Sequence, residues 1–348
     1  MKRFFVLALF GALLTAPLAA QNDLQPVAIV RLTRSEPITV KQLRTEVEKM
    51  EQQAGRTLTR DERRQVLDVM INERLCIQAA DRDRVTVSDS ELNQQIQQMK
   101  NQMAQALGRQ PTEPEFAAEV RNQTGLDIAA FREQIRRQFI VQKYLQTKKG
   151  AILEGIRAPT EAEILSNYNL NKSQYIRPET VRFSMIQVPF TNTGEKTQAR
   201  TLVNRLAQEI GSNPTKFDET VSRSQAPNSN LGYMGGDGGY LPRNPQALQL
   251  VGQEFLDTAF SLRQGEISRV VESTQGFHII KITETYEMKA LGLDDLIQLG
   301  TQFTVREYIR QGIGQQRQQE AVARASEELV TELRVGNPFQ IFENYLNW

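Results

Sequence analysis

The sequence predicts an α+β fold: a mostly helical N-terminal module, completed by a helix near the C-terminus, with a compact antiparallel sheet-and-helix unit inserted between them. Three observations lead there. Capping boxes recur with 3.6-period apolar spacing up to about residue 175. The pattern turns to strands at Arg177-Pro178 and stays mixed to about Tyr286. Helical spacing then returns from Thr304 to about Leu333.

The first residues, MKRFFVLALFGALLTAPLAAQ, have a positive start at Lys2 and Arg3, an apolar run from Phe4 to Leu14 and small residues ending at Ala19-Ala20. Residues 1–20 therefore read as a secretory signal peptide cut after Ala20, because the run is shorter than the ~20 apolar residues a spanning helix needs. With no Cys after the cut, no lipid attachment point and no stable membrane anchor are expected, and the mature chain is expected to be soluble and exported.

Beyond the leader, Val27 to Leu32 reads as a short strand, Glu36-Pro37 as a turn and Thr39 as a helix start. Thr59 with Glu62, Ser88 with Glu91, Thr112 with Glu115 and Thr160 with Glu163 pair a side-chain acceptor with an acid three residues on, the signature of a helix N-terminus. Leu67, Met70, Ile71 and Leu75, and again Ile128, Phe131, Ile135 and Phe139, supply the apolar face between caps. The stretch NQQIQQMKNQMAQ buries only a thin stripe, Ile96, Met99 and Met103, which suits an arm-like module whose flexible thioethers suit varied contacts.

VRFSMIQVPF reads as a strand, followed by helices from about Lys196 to Ile210 and around Phe217 to Ser222. Next come a glycine-rich run, a helix through EFLDTAFSL, and the strands ISRVVES and FHIIKITET joined by Thr274 to Gly276. Gly312 and Gly314 weaken the start of the last helix. The tail PFQIFENYLNW, with Phe339, Ile341, Phe342, Tyr345 and Trp348, is too apolar to stay in water and is expected to dock on the N-terminal module.

The chain has 348 residues, enough for two or three domains, and its charges nearly cancel, with Lys+Arg 42 against Asp+Glu 41. That balance gives no argument for a nucleic-acid surface. One histidine and one cysteine, Cys76, cannot supply a usual zinc site or an intrachain disulfide. No Gly-x-Ser-x-Gly elbow is present, and no cofactor or metal is expected.

SNLGYMGGDGGYLP sets Gly235, Gly236, Gly238 and Gly239 around Asp237. It matches neither the dinucleotide fingerprint nor the P-loop, and Asp237 would repel a phosphate, so the run reads as a set of tight turns.

The order strand, helices, GGDGGYL, FLDTAFSLRQGEISRVVES, GFHIIKI resembles a parvulin domain, the small peptidyl-prolyl isomerase fold, over roughly residues 178 to 286. VLDVMINERLCIQAADRDRVTVSDSELNQQI and the C-terminal QQRQQEAVARASEELVTELR resemble the two flanks of SurA-type periplasmic chaperones. The resemblance implies residues 21–175 as a helical SurA-like chaperone domain, 176–287 as a parvulin-like domain, and 288–348 as a helix and tail packing on the first. It implies that Gly235, Gly236 and Asp237 form the parvulin Gly-Gly-Asp-Leu-Gly turn, with Gly238 in place of the Leu.

Parvulins grip a proline ring in an aromatic and aliphatic pocket, which maps onto Val251, Phe255 and Phe260, and set polar residues beside it. His278 matches the last-strand histidine, whereas Met185 and Ala226 stand at the first-strand His and the Cys or Asp positions. A plain reading of His278 has its nitrogens bonded to backbone, and of Phe260, more firmly than Phe255, helix-to-sheet core. Two functions follow: an ATP-independent holdase for unfolded exported chains, outer-membrane protein precursors among them, carrying a degenerate parvulin domain; or a working peptidyl-prolyl isomerase that speeds slow proline-limited folding. A structural subunit of an envelope assembly is the third.

Overall fold

A computed structural model of the chain describes residues 23–227 and 229–348. The leader, 1–20, lies outside them. No helix among the described residues is long and apolar enough to cross a membrane. The fold is α+β, mostly helical with small antiparallel sheets, and its described residues divide into two compact units: one of residues 23–157 and 317–348, the other Ala158–Gln316.

In the first unit, strands β1 (Pro26–Val30), β2 (Glu36–Thr39) and β9 (Phe339–Ile341) form an antiparallel sheet in the order β2-β1-β9. Helices α1 (Val40–Ala54), α2 (Arg60–Arg82), α3 (Asp89–Leu107), α4 (Glu113–Thr124) and α5 (Ile128–Glu154) follow β2. Each of the four expected capping boxes forms, the last at α6 (Glu161–Asn171) of the second unit, and Thr39 makes a fifth with Gln42. Val27, Val30, Leu43, Leu67, Ile71 and Leu75 build one core, with Leu329, Leu333 and Leu346 from the chain's last part. Ile96, Met99 and Met103 join a separate smaller core with Phe116 and Phe131, as the thin stripe anticipated.

Glu36 and Pro37 belong to β2 rather than to a turn. The reversal lies earlier and is held from a distance: the Oε1 of the fully buried Gln78 accepts the N–H groups of Leu32 and Thr33 at 3.0 Å, and its Nε2 donates to Glu36 at 3.2 Å. A buried amide whose oxygen and nitrogen both have partners fixes the loop without leaving either atom orphaned.

In the second unit β3 (Ile176–Arg177) pairs with β8 (Lys289–Ala290), and the main sheet centres on β4 (Thr180–Pro189), which pairs antiparallel with β5 (Met234–Pro242) on one side and β7 (Gly276–Tyr286) on the other; β6 (Val271–Ser273) completes the order β5-β4-β7-β6. The ISRVVES strand is thus shorter than expected, Ile267 keeping only an isolated bridge to Lys281. Period-two alternation divides the sheet's side chains. Ile186, Val188, Phe277 and Ile279 pack against α7 (Thr193–Ile210) and α8 (Pro214–Ser224). Val181, Phe183, Ile280 and Ile282 face α9 (Pro245–Val251) and α10 (Gln253–Ser261). A third cluster joins Tyr168 of α6 and Tyr175 to Leu291, Val305 and Ile309, the last two in α11 (Val305–Leu333), which runs unbroken through Gly312 and Gly314.

The glycine run is a strand, not a set of turns: Gly235, Gly236 and Asp237 all pair with β4. Phe183 pairs with Gly239 and Ser184 with Asp237, so Gly238 is the extra residue of a β-bulge. A Cβ at Gly238 would collide with the Phe183 ring, and one at Gly235 would lie 2.9 Å from the Val221 Cα of α8. Gly239 takes φ +77°, where its N–H meets Asp237 Oδ1 at 2.9 Å. Asp237 Oδ2 accepts from Arg182 at 2.7 Å. The glycines therefore let an edge strand close down on an aromatic ring and a helix. Gly238→Ala is expected to destabilise the second unit by about 1–3 kcal/mol through overpacking. In denaturant unfolding, Gly238→Ala combined with Phe183→Leu should cost less than the sum of the single changes; simple additivity would show that the ring is not what excludes the methyl group.

Candidate functional site

Because Phe277 and Ile279 are committed to the α7–α8 face, His278 and Ile280 point to the other. His278 pairs across the ladder with Gln187 of β4 and Val271 of β6, and is 4% exposed. Above it stands Phe255 of α10, its ring edge-on to the imidazole at 5.2 Å and to Phe183 at 5.5 Å. Met185, paired with Ile280, is one diagonal step from His278 on the same face, and Val251 and Phe260 pack on the same cluster with part of their surface open. The structure thus gathers His278, Met185, Val251, Phe255 and Phe260 on one face of the sheet.

Their depths differ from expectation. Phe255 is only 2% exposed and forms the floor, while Phe260, the firmer candidate for core, is half-buried with the Arg243 guanidinium 5.2 Å above its ring. Ala226 lies exposed just beyond α8, its carbonyl accepting the Ser229 N–H, and belongs to no part of this cluster. Ser224 and Asp237 bring no polar group to it either: the Ser224 hydroxyl donates to Val221 O, and Asp237 is held by Arg182.

The histidine is not tied to backbone. Its Nε2 is 2.7 Å from Ser273 Oγ, which also accepts the Gln275 N–H at 3.0 Å, and its buried Nδ1 has no partner. An orphaned buried N–H is rarer than an orphaned acceptor, which favours the proton on Nε2, donated to Ser273, and a bare lone pair on Nδ1. Sequence reading missed Ser273 and Gln187. Ser273 was legible as the far end of the hairpin, and Gln187 as the residue that alternation puts opposite the histidine.

Burial pushes the His278 pKa down to about 4 from an ordinary value near 6.5. The imidazole is therefore neutral at pH 7 and carries no charge to a bound peptide. Since the unfolded chain binds the proton more readily, stability conferred by this group is complete above pH 6.5 and is lost as pH falls toward 4. The second unit should weaken by about 3 kcal/mol across that window, given ~1.4 kcal/mol per pKa unit. His278→Gln should flatten the slope; an unchanged slope in urea melts would assign the acid sensitivity elsewhere.

The first unit carries a separate feature. A groove of about 1070 Å3 is lined by α1 and α2, with Met50, Leu58, Val66, Val69 and Met70 among its walls. Met50 is 47% and Val69 66% exposed.

The family model described as PPIC-type PPIASE domain matches residues 168–286, and that described as SurA-like N-terminal domain matches residues 9–145. Foldase protein PrsA of Clostridium botulinum (strain Loch Maree / Type A3) is 26% identical over 289 residues, covering 81% of this chain and 75% of that protein. Chaperone SurA of Chromohalobacter salexigens is 26% identical over 294 residues, covering 82% of this chain and 63% of that protein. Among solved structures, one of the pair PEB4 and Cj1289, SurA-like chaperones of Campylobacter jejuni, is 13% identical with a TM-score of 0.41, covering 91% of this chain and all of that one. A helical module and a parvulin-type sheet in one chain define a protein-folding factor. More narrowly, the chain is a SurA-type chaperone with a parvulin-like domain.

Proposed function

We propose that the protein is an ATP-independent holdase of the periplasm, exported by the leader at residues 1–20, that shields unfolded exported chains such as outer-membrane protein precursors. Its parvulin unit acts as a proline-accepting binding face with little turnover. One observation carries the reading: the sole histidine is buried, neutral and tied to Ser273, with Met185 at the first-strand position and Ala226 exposed elsewhere. Rotating an X-Pro bond requires a site that binds the twisted amide better than the planar one. A face whose polar groups are all uncharged, the His278 ring and the Gln187 carboxamide, has little with which to discriminate between them. The helical unit supports the same reading, since Met50, Val69 and Met70 offer an open, flexible apolar groove. The gathering of Met185, Val251 and Phe260 around His278 supports the second reading, a working isomerase.

The two are separated by measuring cis–trans exchange of X-Pro peptides by NMR beside suppression of aggregation of an unfolded outer-membrane β-barrel protein, using the chain from Gln21. The holdase reading expects exchange near the uncatalysed rate and suppression that Val69→Glu weakens several-fold, an exposed change that spares the fold. Exchange accelerated a hundredfold, with suppression indifferent to Val69→Glu, would establish the isomerase instead.

A further inference from the structure

We infer that Gln187 is the group that reads the peptide backbone on the proline-accepting face, and that it does so by holding the X-Pro amide in its planar form. This rests on the reading of that face as a proline-accepting groove.

Gln187 is directly opposite His278 in the β4–β7 ladder and opposite Met234 in the β4–β5 ladder, so Met234, Gln187 and His278 form a row across the sheet. Its neighbours Ile186 and Val188 are committed to the α7–α8 core, which turns Gln187 to the side of Met185 and Phe255. Along this row His278 is buried and Met234 is 58% exposed, with Gln187 half-buried between them. The Gln187 Nε2 donates to the Gln275 carbonyl at 3.2 Å, a bond that spends one amide hydrogen and orients the carboxamide. The second hydrogen and Oε1 remain for a ligand.

The residue before a proline is held extended by the proline ring, and its own N–H and C=O then point to the same side. A carboxamide with one donor and one acceptor matches that pair. The acceptor takes the N–H of residue X. The donor meets the carbonyl oxygen of the X-Pro amide itself. A donor at that oxygen favours the charge-separated, planar resonance form whose loss makes up the rotation barrier. Gln187 thereby strengthens binding of the ground state without lowering the barrier, in keeping with a face that captures proline segments and turns them over poorly.

The test measures, by calorimetry with the full chain from Gln21, binding of an acetylated, amidated hexapeptide containing Ala-Pro and of its ester analogue, in which the N–H of the alanine before proline is replaced by oxygen. Gln187→Leu should weaken binding of the amide peptide about five- to tenfold, as expected for the loss of one or two hydrogen bonds. The unaltered protein should prefer amide over ester several-fold, and Gln187→Leu should lose that preference. A merely structural role through Gln275 would weaken both ligands equally and leave the preference intact, overturning the inference. Equal affinity of Gln187→Leu and the parent for the amide peptide would also overturn it. If the parent binds neither peptide, the proline-accepting reading of the face falls, and the role of Gln187 falls with it.

Discussion

Replacing Phe255 by alanine is expected to cost the second unit about 3–5 kcal/mol, the range for a buried aromatic removed from a packed core. The ring is 2% exposed, meets Phe183 and His278 edge-on, and belongs to the same cluster as Ile280, Ile282 and Leu256. Such a loss is a large part of the 5–15 kcal/mol that holds a typical domain folded. A Phe255→Ala protein that no longer binds proline peptides would therefore report partial unfolding as much as a damaged groove. Denaturant melts followed in the second unit should show the shift directly. If stability falls by less than about 1 kcal/mol, the ring packs more loosely than its burial implies and belongs to the ligand surface. Val251 and Met185, both partly exposed on the same cluster, are better probes of the groove, because shortening them opens less of the core.

Ending the chain at Val335 is expected to unfold the first unit or weaken it by about 5 kcal/mol, from the loss of the buried Leu346 and the partly buried Phe339, Ile341 and Tyr345, full burial of such a side chain being worth ~1.5–3 kcal/mol. The truncation removes β9, which pairs with Ala28, Ile29 and Val30, and the fully buried Leu346. It also removes Glu343, which ion-pairs with Arg60 and Arg64, and Trp348, whose ring centroid lies 5.3 and 4.9 Å from the guanidinium carbons of Arg44 and Arg63. Exposed ion pairs matter less here than the uncovered strand. Hydrogen exchange should show protection lost across β1, β2 and α2 while the β4–β7 ladder keeps its own. Retained protection in β1 would mean that the sheet stands without its third strand.

Much of this was legible in the sequence where the cause is local. A Thr or Ser three residues before Glu or Gln caps a helix through contacts within one turn, and each expected box formed. The order of strands and helices carried a resemblance that set His278 and Met185 at one pocket, and the ladder that pairs Met185 with Ile280 and Gln187 with His278 then put them on one face. Non-local causes were not legible. Glu36-Pro37 became a strand because Gln78, 42 residues from Glu36, holds the reversal upstream of it. The glycines became a strand because Phe183 and Val221, brought in from β4 and α8, leave no room for side chains. Ser273 took the histidine's hydrogen bond at a distance set by a hairpin rather than by a motif.

The pairing of β1 with β9 also sets an order of events. Arg60 and Glu343, bridged in the finished structure, stand 283 residues apart in the chain. Contacts at such separation are slow to find because the intervening loop must close first. As the exported chain emerges N-terminus first, the second unit has all its strands before β9 arrives, so it can fold while Val27, Ala28 and Val30 still present an open apolar edge. Until β9 arrives, the emerging chain resembles the aggregation-prone strands it is proposed to shield, and it is exposed to capture by finished copies of itself.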